Sequence, residues 1–260
     1  MPTPPTLYND NDPKVCAWLN ELIAHNHLPY GTVLCKSIAD INPADIPPTF
    51  HAFAGIGGWS YALQLAGWPV GQPVWTASCP CQPFSCAGRG AGVSDPRHLW
   101  PNFRCLVKIC RPPIIFGEQV ASVAGRLWLA GIRADLETLG YAFGTVGLCA
   151  YAVNAPHERL RSYWGAYSTI NGCEGLQRST QTQIPPHWPS QTLDPWHGTG
   201  SPFEHWRKLL AESHVCRMAD GVSSTLDIRP RLHAYGNAIV PQVAAAFITA
   251  FMETIRGSAK

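Results

Sequence analysis

The sequence predicts an α/β fold, and three observations carry that prediction. Short apolar runs alternate with segments of helical periodicity through the first two thirds of its 260 residues. A glycine cluster, Gly55-Ile56-Gly57-Gly58, separates one such run from the helix that follows it. Hydrophobic residues make up 46% of the chain, enough for a sizeable core. Charged residues are only 14%, against about 25% in an average domain. With 23 glycines and 24 prolines, long polar helices are few and turns carry much of the chain. No run approaches the ~18 apolar residues of a membrane span, and Met1 to Asp10 lacks the basic start and apolar stretch of a signal peptide. A membrane protein, a coiled coil and a secreted precursor are set aside.

In chain order, Thr6 to Asn9 reads as a short strand. Asp12 and Pro13 suit an N-cap and a first helical position, and Val15, Trp18, Leu19, Leu22 and Ile23 recur at helical spacing. Gly31 to Cys35 is a second strand and Asn42 to Pro48 a loop. Phe50 to Phe53 runs into the glycines, and Trp59 to Ala66 follows as a helix. Val74 to Ser78 is a buried strand ending in Cys79-Pro80-Cys81-Gln82-Pro83-Phe84-Ser85. A helix covers Asn102 to Cys110, and Pro113 to Phe116 is a strand ending at Gly117-Glu118-Gln119-Val120. Leu129, Ile132, Leu136 and Leu139 mark another helix, closed by Gly140. Alternation through Ala142 to Val153 and Ser162 to Tyr167 suggests a hairpin. Residues 168–228 are rich in Gln, Thr, Pro and His, with a short helix near Pro202 to Ser213, and read as a separate loop-rich lobe. A last helix starts at Pro241 and carries Phe247, Phe251 and Ile255 on one face.

Ten cysteines in a chain of this length, several in strand-like and helix-like apolar contexts, point to a reducing cytoplasm rather than a disulfide scaffold. The net charge is only +2, but 14 arginines stand against 5 lysines, a bias that suits planar recognition of phosphates or base edges.

Four places hold candidate chemistry. Phe53 to Gly58 is either a tight turn or a site where backbone amides at a helix start meet a ligand. A dinucleotide site also wants a carboxylate ~20 residues on, and no acidic residue lies between Asp45 and Asp95. Cys81 is flanked by prolines at the end of a strand, where α/β folds place their sites; the alternative is a buried structural cysteine. Cys79, Cys81 and Cys86 have the wrong spacing for a zinc chelate, and no His-x-Glu accompanies them, so a zinc deaminase is rejected. Glu118 reads either as a helix N-cap or as a carboxyl whose burial raises its pKa and makes it a proton donor. Arg159 and Arg161, one residue apart in an extended segment, point to the same side, as a solvated face or as an anion holder.

Together these blocks resemble the cytosine-C5 DNA methyltransferase family. Phe53-Ala54-Gly55-Ile56-Gly57-Gly58 is similar to its cofactor-binding first block, and Pro80-Cys81-Gln82-Pro83-Phe84-Ser85 to its nucleophile loop. Gly117-Glu118-Gln119-Val120 resembles the Glu-Asn-Val block, with Gln119 in place of Asn. Pro156-His157-Glu158-Arg159-Leu160-Arg161 resembles the Gln-x-Arg-x-Arg block, with His157 in place of Gln. Tyr235 to Pro241 resembles the last cofactor block. The resemblance implies a Rossmann-like methyltransferase domain that binds S-adenosylmethionine through Phe53, Gly55, Gly57, Pro80 and Asn237. It implies Cys81 as nucleophile, Glu118 and Arg161 on the base with Arg159 in support, and Gln82, Ser85 and Gln119 near the substrate. The target cytosine, paired in duplex DNA, would flip out of the stack.

The order of the blocks departs from the family. Only 21 residues separate Gly58 from Pro80, too few for a βαβ unit of ~30, so the ribose-binding and adenine-binding blocks do not fit between them. Tyr8-Asn9-Asp10-Asn11-Asp12-Pro13 resembles the first of these and Lys36-Ser37-Ile38-Ala39-Asp40-Ile41 the second, as if both had moved to the N-terminus. Asp10 would then hold the ribose hydroxyls, while Ser37 stands where the family has Asp. The resemblance further implies a catalytic unit over residues 1–167 completed by 229–260, and a target-recognition lobe over 168–228. It implies a monomer acting on double-stranded DNA, without metal or membrane, in a prokaryotic cell or the host cell of a phage, as in restriction-modification. A catalytically silent DNA-binding relative, and the same chemistry with another one-carbon donor or an RNA substrate, are the alternatives.

Overall fold

The computed structural model describes residues 6–80, 99–153, 155, 159–169 and 238–258. They form β1 (Thr6–Asp10), α1 (Pro13–Ala24), β2 (Gly31–Cys35), β3 (Thr49–Ala52), α2 (Gly58–Leu65), β4 (Val74–Ala77), α3 (Trp100–Cys110), β5 (Ile114–Val120), α4 (Val123–Thr138), β6 (Tyr141–Leu148), β7 (Arg161–Ser168) and α5 (Pro241–Ser258). The strands make one sheet in the order β2-β1-β3-β4-β5-β7-β6. The pairings from β2 through β5 are parallel, and β7 runs antiparallel between β5 and β6. Parallel neighbours need crossovers, which α1, α2 and α3 supply. The crossover from β2 to β3 holds only two 3-10 turns, Ile38–Asp40 and Pro43–Asp45.

Both faces of the sheet are covered, because successive side chains alternate between them. On β5, Ile115 packs with Phe103, Leu106, Ile132 and Leu136 of α3 and α4. Its neighbours Ile114 and Phe116 point the other way, into Trp59, Val243, Phe247 and Ile248 of α2 and α5. Near the opposite end of the sheet, α1 lays Leu19 on Tyr8. The helix signals read from sequence act as expected. The Asp12 carboxylate accepts from the Lys14 amide, and Pro13 begins α1.

Three local expectations change. β5 does not stop at Phe116; its ladder with β7 continues from Gly117↔Trp164 to Val120↔Arg161. Glu118 therefore lies inside a strand, and the N-cap of α4 is Ser122, whose hydroxyl accepts from the Gly125 amide at 3.0 Å. β6 ends at Leu148, with a 3-10 turn at Ala150–Val153 in place of further strand. The loop over Asn42 to Pro48 contains the turn at Pro43–Asp45, capped by Asn42.

The expected recognition lobe lies outside the described residues except for Ser168 and Thr169, as does its short helix near 202–213. Among the described residues no helix is long and apolar enough to cross a membrane, and no group of three or more His, Cys, Asp or Glu is placed to hold a metal ion.

Candidate active site

The carboxyl edge of the parallel strands gathers the described candidate residues. Asp10 ends β1, Phe53 follows β3, Pro80 follows β4, and Glu118 and Gln119 lie near the C-terminal end of β5. Because β7 runs the other way, its first residue, Arg161, falls at the same edge.

The glycine turn is built around Asp10. One carboxylate oxygen of Asp10 accepts from the Gly55 amide at 3.0 Å, and the other from the Asp12 amide at 3.0 Å. The Ala54 amide donates to the Asn9 carbonyl at 2.8 Å, so the turn is stitched to β1 by consecutive residues. Phe53 leaves the strand at φ 52°, an uncommon backbone region for a side-chain-bearing residue, and its ring leans on Phe103. Gly55 sits at φ 53° with nothing within 4 Å of where a Cβ would be. Gly57 also has positive φ, at 80°, but a Cβ there would lie 2.4 Å from Leu28 Cδ1. The two glycines thus differ: Gly55 leaves open space above the turn, whereas Gly57 makes room for Leu28 and forms the left-handed N-cap of α2.

The second expected cofactor block is tied to the first by a residue that sequence reading passed over. Asn9 is buried, and its Nδ2 donates to the carbonyls of Leu34 (3.0 Å) and Lys36 (2.7 Å). This fixes the exit of β2 beside that of β1. Ser37 follows directly, half-buried, and its hydroxyl accepts from the Ala39 amide at 3.3 Å as a cap of the 3-10 turn. Asp40 is exposed in that turn. The sequence clue to Asn9 was only its place in an Asn-Asp-Asn-Asp run at a strand end.

Glu118 is 8% exposed and makes an ion pair with Arg161, whose Nε lies 2.9 Å from Oε1. The register explains the meeting. Arg161 is paired with Val120, which shares a face with Glu118, so the two are diagonal neighbours. Burial pushes the Glu118 carboxyl above the usual carboxylate range, and the Arg161 and Arg159 guanidinium groups pull against that rise. Arg159, at φ 29°, donates from its guanidinium to the carbonyl of Ala238, just before α5. Gln119 is 3% exposed. Its Oε1 accepts from the Val120 amide at 2.8 Å and its Nε2 donates to the Cys79 carbonyl at 3.4 Å. Cys79 is buried and Pro80 half-buried. Cys81, Gln82, Ser85 and Asn237 lie outside the described residues.

The arrangement therefore has two halves along one edge. One is an open glycine turn with a carboxylate beneath it, which fits a polar ligand bearing hydroxyls and a positive charge. The other is a buried carboxyl with a raised pKa braced by arginine, which fits a base that must receive a proton.

Residues 69–194 match the family model described as C-5 cytosine-specific DNA methylase. Type II methyltransferase M.AplI of Arthrospira platensis is 34% identical over 92 residues, covering 35% of this chain and 27% of that protein. Type II methyltransferase M.HaeII of Haemophilus aegyptius is 30% identical over 131 residues, covering 48% of this chain and 34% of that protein. The chain thus spans about a third or less of the length of these relatives. Solved structures are also similar over part of the chain. A DNMT2 mutant from Spodoptera frugiperda is 20% identical, with a TM-score of 0.39 over 67% of this chain and 45% of that one. A prophage-encoded putative DNA modification methyltransferase from E. coli is 16% identical, with a TM-score of 0.41 over 64% of this chain and 40% of that one.

Proposed function

We propose that the chain is a C-5 cytosine-specific DNA methylase, the family whose model matches residues 69–194, and that it methylates C5 of a flipped-out cytosine in duplex DNA. The observation that carries this reading is the pairing of buried Glu118 with half-buried Arg161 at the carboxyl edge, beside the backbone that leads to Cys81. Bound S-adenosylmethionine would supply an electrophilic methyl group. C5 of cytosine is too weak a nucleophile to take it unaided. The Cys81 thiolate adds to C6, forming a covalent enamine in which C5 carries the electron density. Glu118 hydrogen-bonds to N3 and the amino group, and its proton neutralises charge as the ring accepts the thiolate. Arg161 holds the Glu118 carboxyl and reaches the base O2. Arg159 fixes the segment before β7 to the chain entering α5. Loss of the C5 proton and expulsion of Cys81 then restore the aromatic base.

On the donor side, Asp10 receives the ribose hydroxyls, Gly55 leaves room for the ligand to lie against the turn, and Phe53 and Ser37 flank the adenine. The strand order supports the reading that the ribose and adenine blocks have moved to the front of the chain. β1 and β2 come first in sequence yet stand beyond β3, so Asp10 arrives beside Gly55 from the outer side. Residues 1–167 and 229–260 form the catalytic unit and 168–228 the recognition lobe, acting as a cytoplasmic monomer without metal.

The direct test is mass spectrometry of nucleosides from unmodified duplex DNA incubated with the protein and S-adenosylmethionine. Appearance of 5-methyldeoxycytidine is expected; its absence, with DNA and cofactor both bound, would sink the reading in favour of a silent relative. The donor half has its own test. Asp10→Ala is expected to weaken S-adenosylmethionine binding about 10- to 100-fold, the range for losing hydrogen bonds to a charged acceptor. Calorimetric titration checks this, and an unchanged dissociation constant would remove Asp10 from the site and the rearranged block order with it.

A further inference from the structure

We propose that Trp59 and Gln119 are positioning residues that clamp the stem of the Cys81 loop from two sides, referring the nucleophile at once to the donor turn and to Glu118. The inference rests on the methyl-transfer reading above. Ser78, Cys79 and Pro80 leave β4 at the carboxyl edge, and Cys81 is two residues beyond Cys79.

Trp59 is the second residue of α2, directly after the glycine turn, and is 4% exposed. Its ring lies nearly parallel to that of Phe116 on β5 (6.2 Å, 11°) and edge-on to Tyr163 on β7 (6.1 Å, 74°). Contacts in two directions fix where the indole N–H points, and an indole nitrogen only donates. It donates to the Ser78 hydroxyl at 3.0 Å. Gln119 reaches the same segment from the other side. The Val120 amide can only donate and the Cys79 carbonyl can only accept, so one amide orientation satisfies both, with Nε2 toward Cys79. Both contacts span far in sequence, 19 and 40 residues. One comes from the helix that begins at the donor turn, the other from the residue next to Glu118.

The test uses the full chain with duplex DNA in which cytosine is replaced by 5-fluorocytosine, which stalls the reaction at the covalent stage. The rate constant of capture is measured at saturating DNA and S-adenosylmethionine for the parent, Trp59→Phe, Ser78→Ala and the double variant. Phe keeps a ring against Phe116 and Tyr163 while removing the donor. Each single change is expected to slow capture about five- to tenfold, and the double change no more than either alone, because both break one bond. Dissociation constants for DNA and cofactor should stay within about twofold, a split that simple loosening of the fold would not give. Gln119→Met should slow capture similarly. Capture by the variants at the parent's rate, or losses that multiply in the double variant and follow ligand affinity, would overturn the clamp alone. Failure of the parent to be captured would overturn the methyl-transfer reading and the clamp with it.

Discussion

Cys81→Ser is expected to lower formation of 5-methyldeoxycytidine by a factor on the order of 10^4 while leaving DNA and cofactor binding within a few-fold of the parent. A free thiol is a few per cent ionised at neutral pH and is strongly nucleophilic in that form. A serine hydroxyl holds its proton far more tightly and would need a base beside it. The substitution changes one atom and little volume, so the loss would belong to bond formation at C6 and not to folding. Product from the Ser variant at more than about a tenth of the parent's rate would show that the base is activated without this thiol.

How far the sequence reaches toward this site depends on the range of each signal. Local signals were legible. Asp12-Pro13 and Pro241 mark helix starts by their own backbone and capping chemistry, and they do so in the structure. Gly31 to Cys35 is a strand by composition alone, and its bounds agree residue for residue. Glu118 was harder, because the apolar run stops at Phe116 and a polar tail reads as loop. The ladder with β7, formed by residues some 45 positions further on, keeps that tail extended. Gly117 belongs to the same case. A Cβ there would stand 2.2 Å from the Trp164 ring, so its glycine answers to a partner strand and not to a turn. Asn9 and Trp59 were illegible for the same reason, since each acts through a contact that exists only once distant elements are adjacent; Gln119 was named from its block, but its bond to the Cys79 carbonyl was not. The Asp10–Gly55 hydrogen bond is an intermediate case. Block resemblance assigned both residues to one cofactor, but hydrophobic periodicity carries no information on strand order. Sheet order follows from which crossovers can be made, and the bare crossover from β2 to β3 is what lets the first two strands sit outside the glycine turn.

Glu118→Gln is expected to reduce turnover about 10^2- to 10^4-fold, the contribution of a well-placed proton donor. The amide still donates a hydrogen bond to an acceptor on the base but has no proton to transfer as the ring gains charge. The pH profiles should separate the two roles. In the parent, burial raises the Glu118 pKa and the arginines oppose that rise, so turnover should fall on the alkaline side as the carboxyl loses its proton. In the Gln variant that limb should vanish. Arg161→Met removes the nearest opposing charge, and the limb should then move to higher pH. The linkage to stability has the same sign. A carboxyl whose folded pKa lies above its unfolded one contributes stability below the unfolded value, about 4.3 for Glu, and that contribution is lost as pH rises through the folded value. Stability of the parent should therefore decline with pH across that window more steeply than stability of the Gln variant. Thermal melts over the same pH series measure this directly. Equal slopes, together with an unchanged alkaline limb, would mean that the proton delivered to the base comes from elsewhere, and that the buried pair serves the sheet and not the reaction.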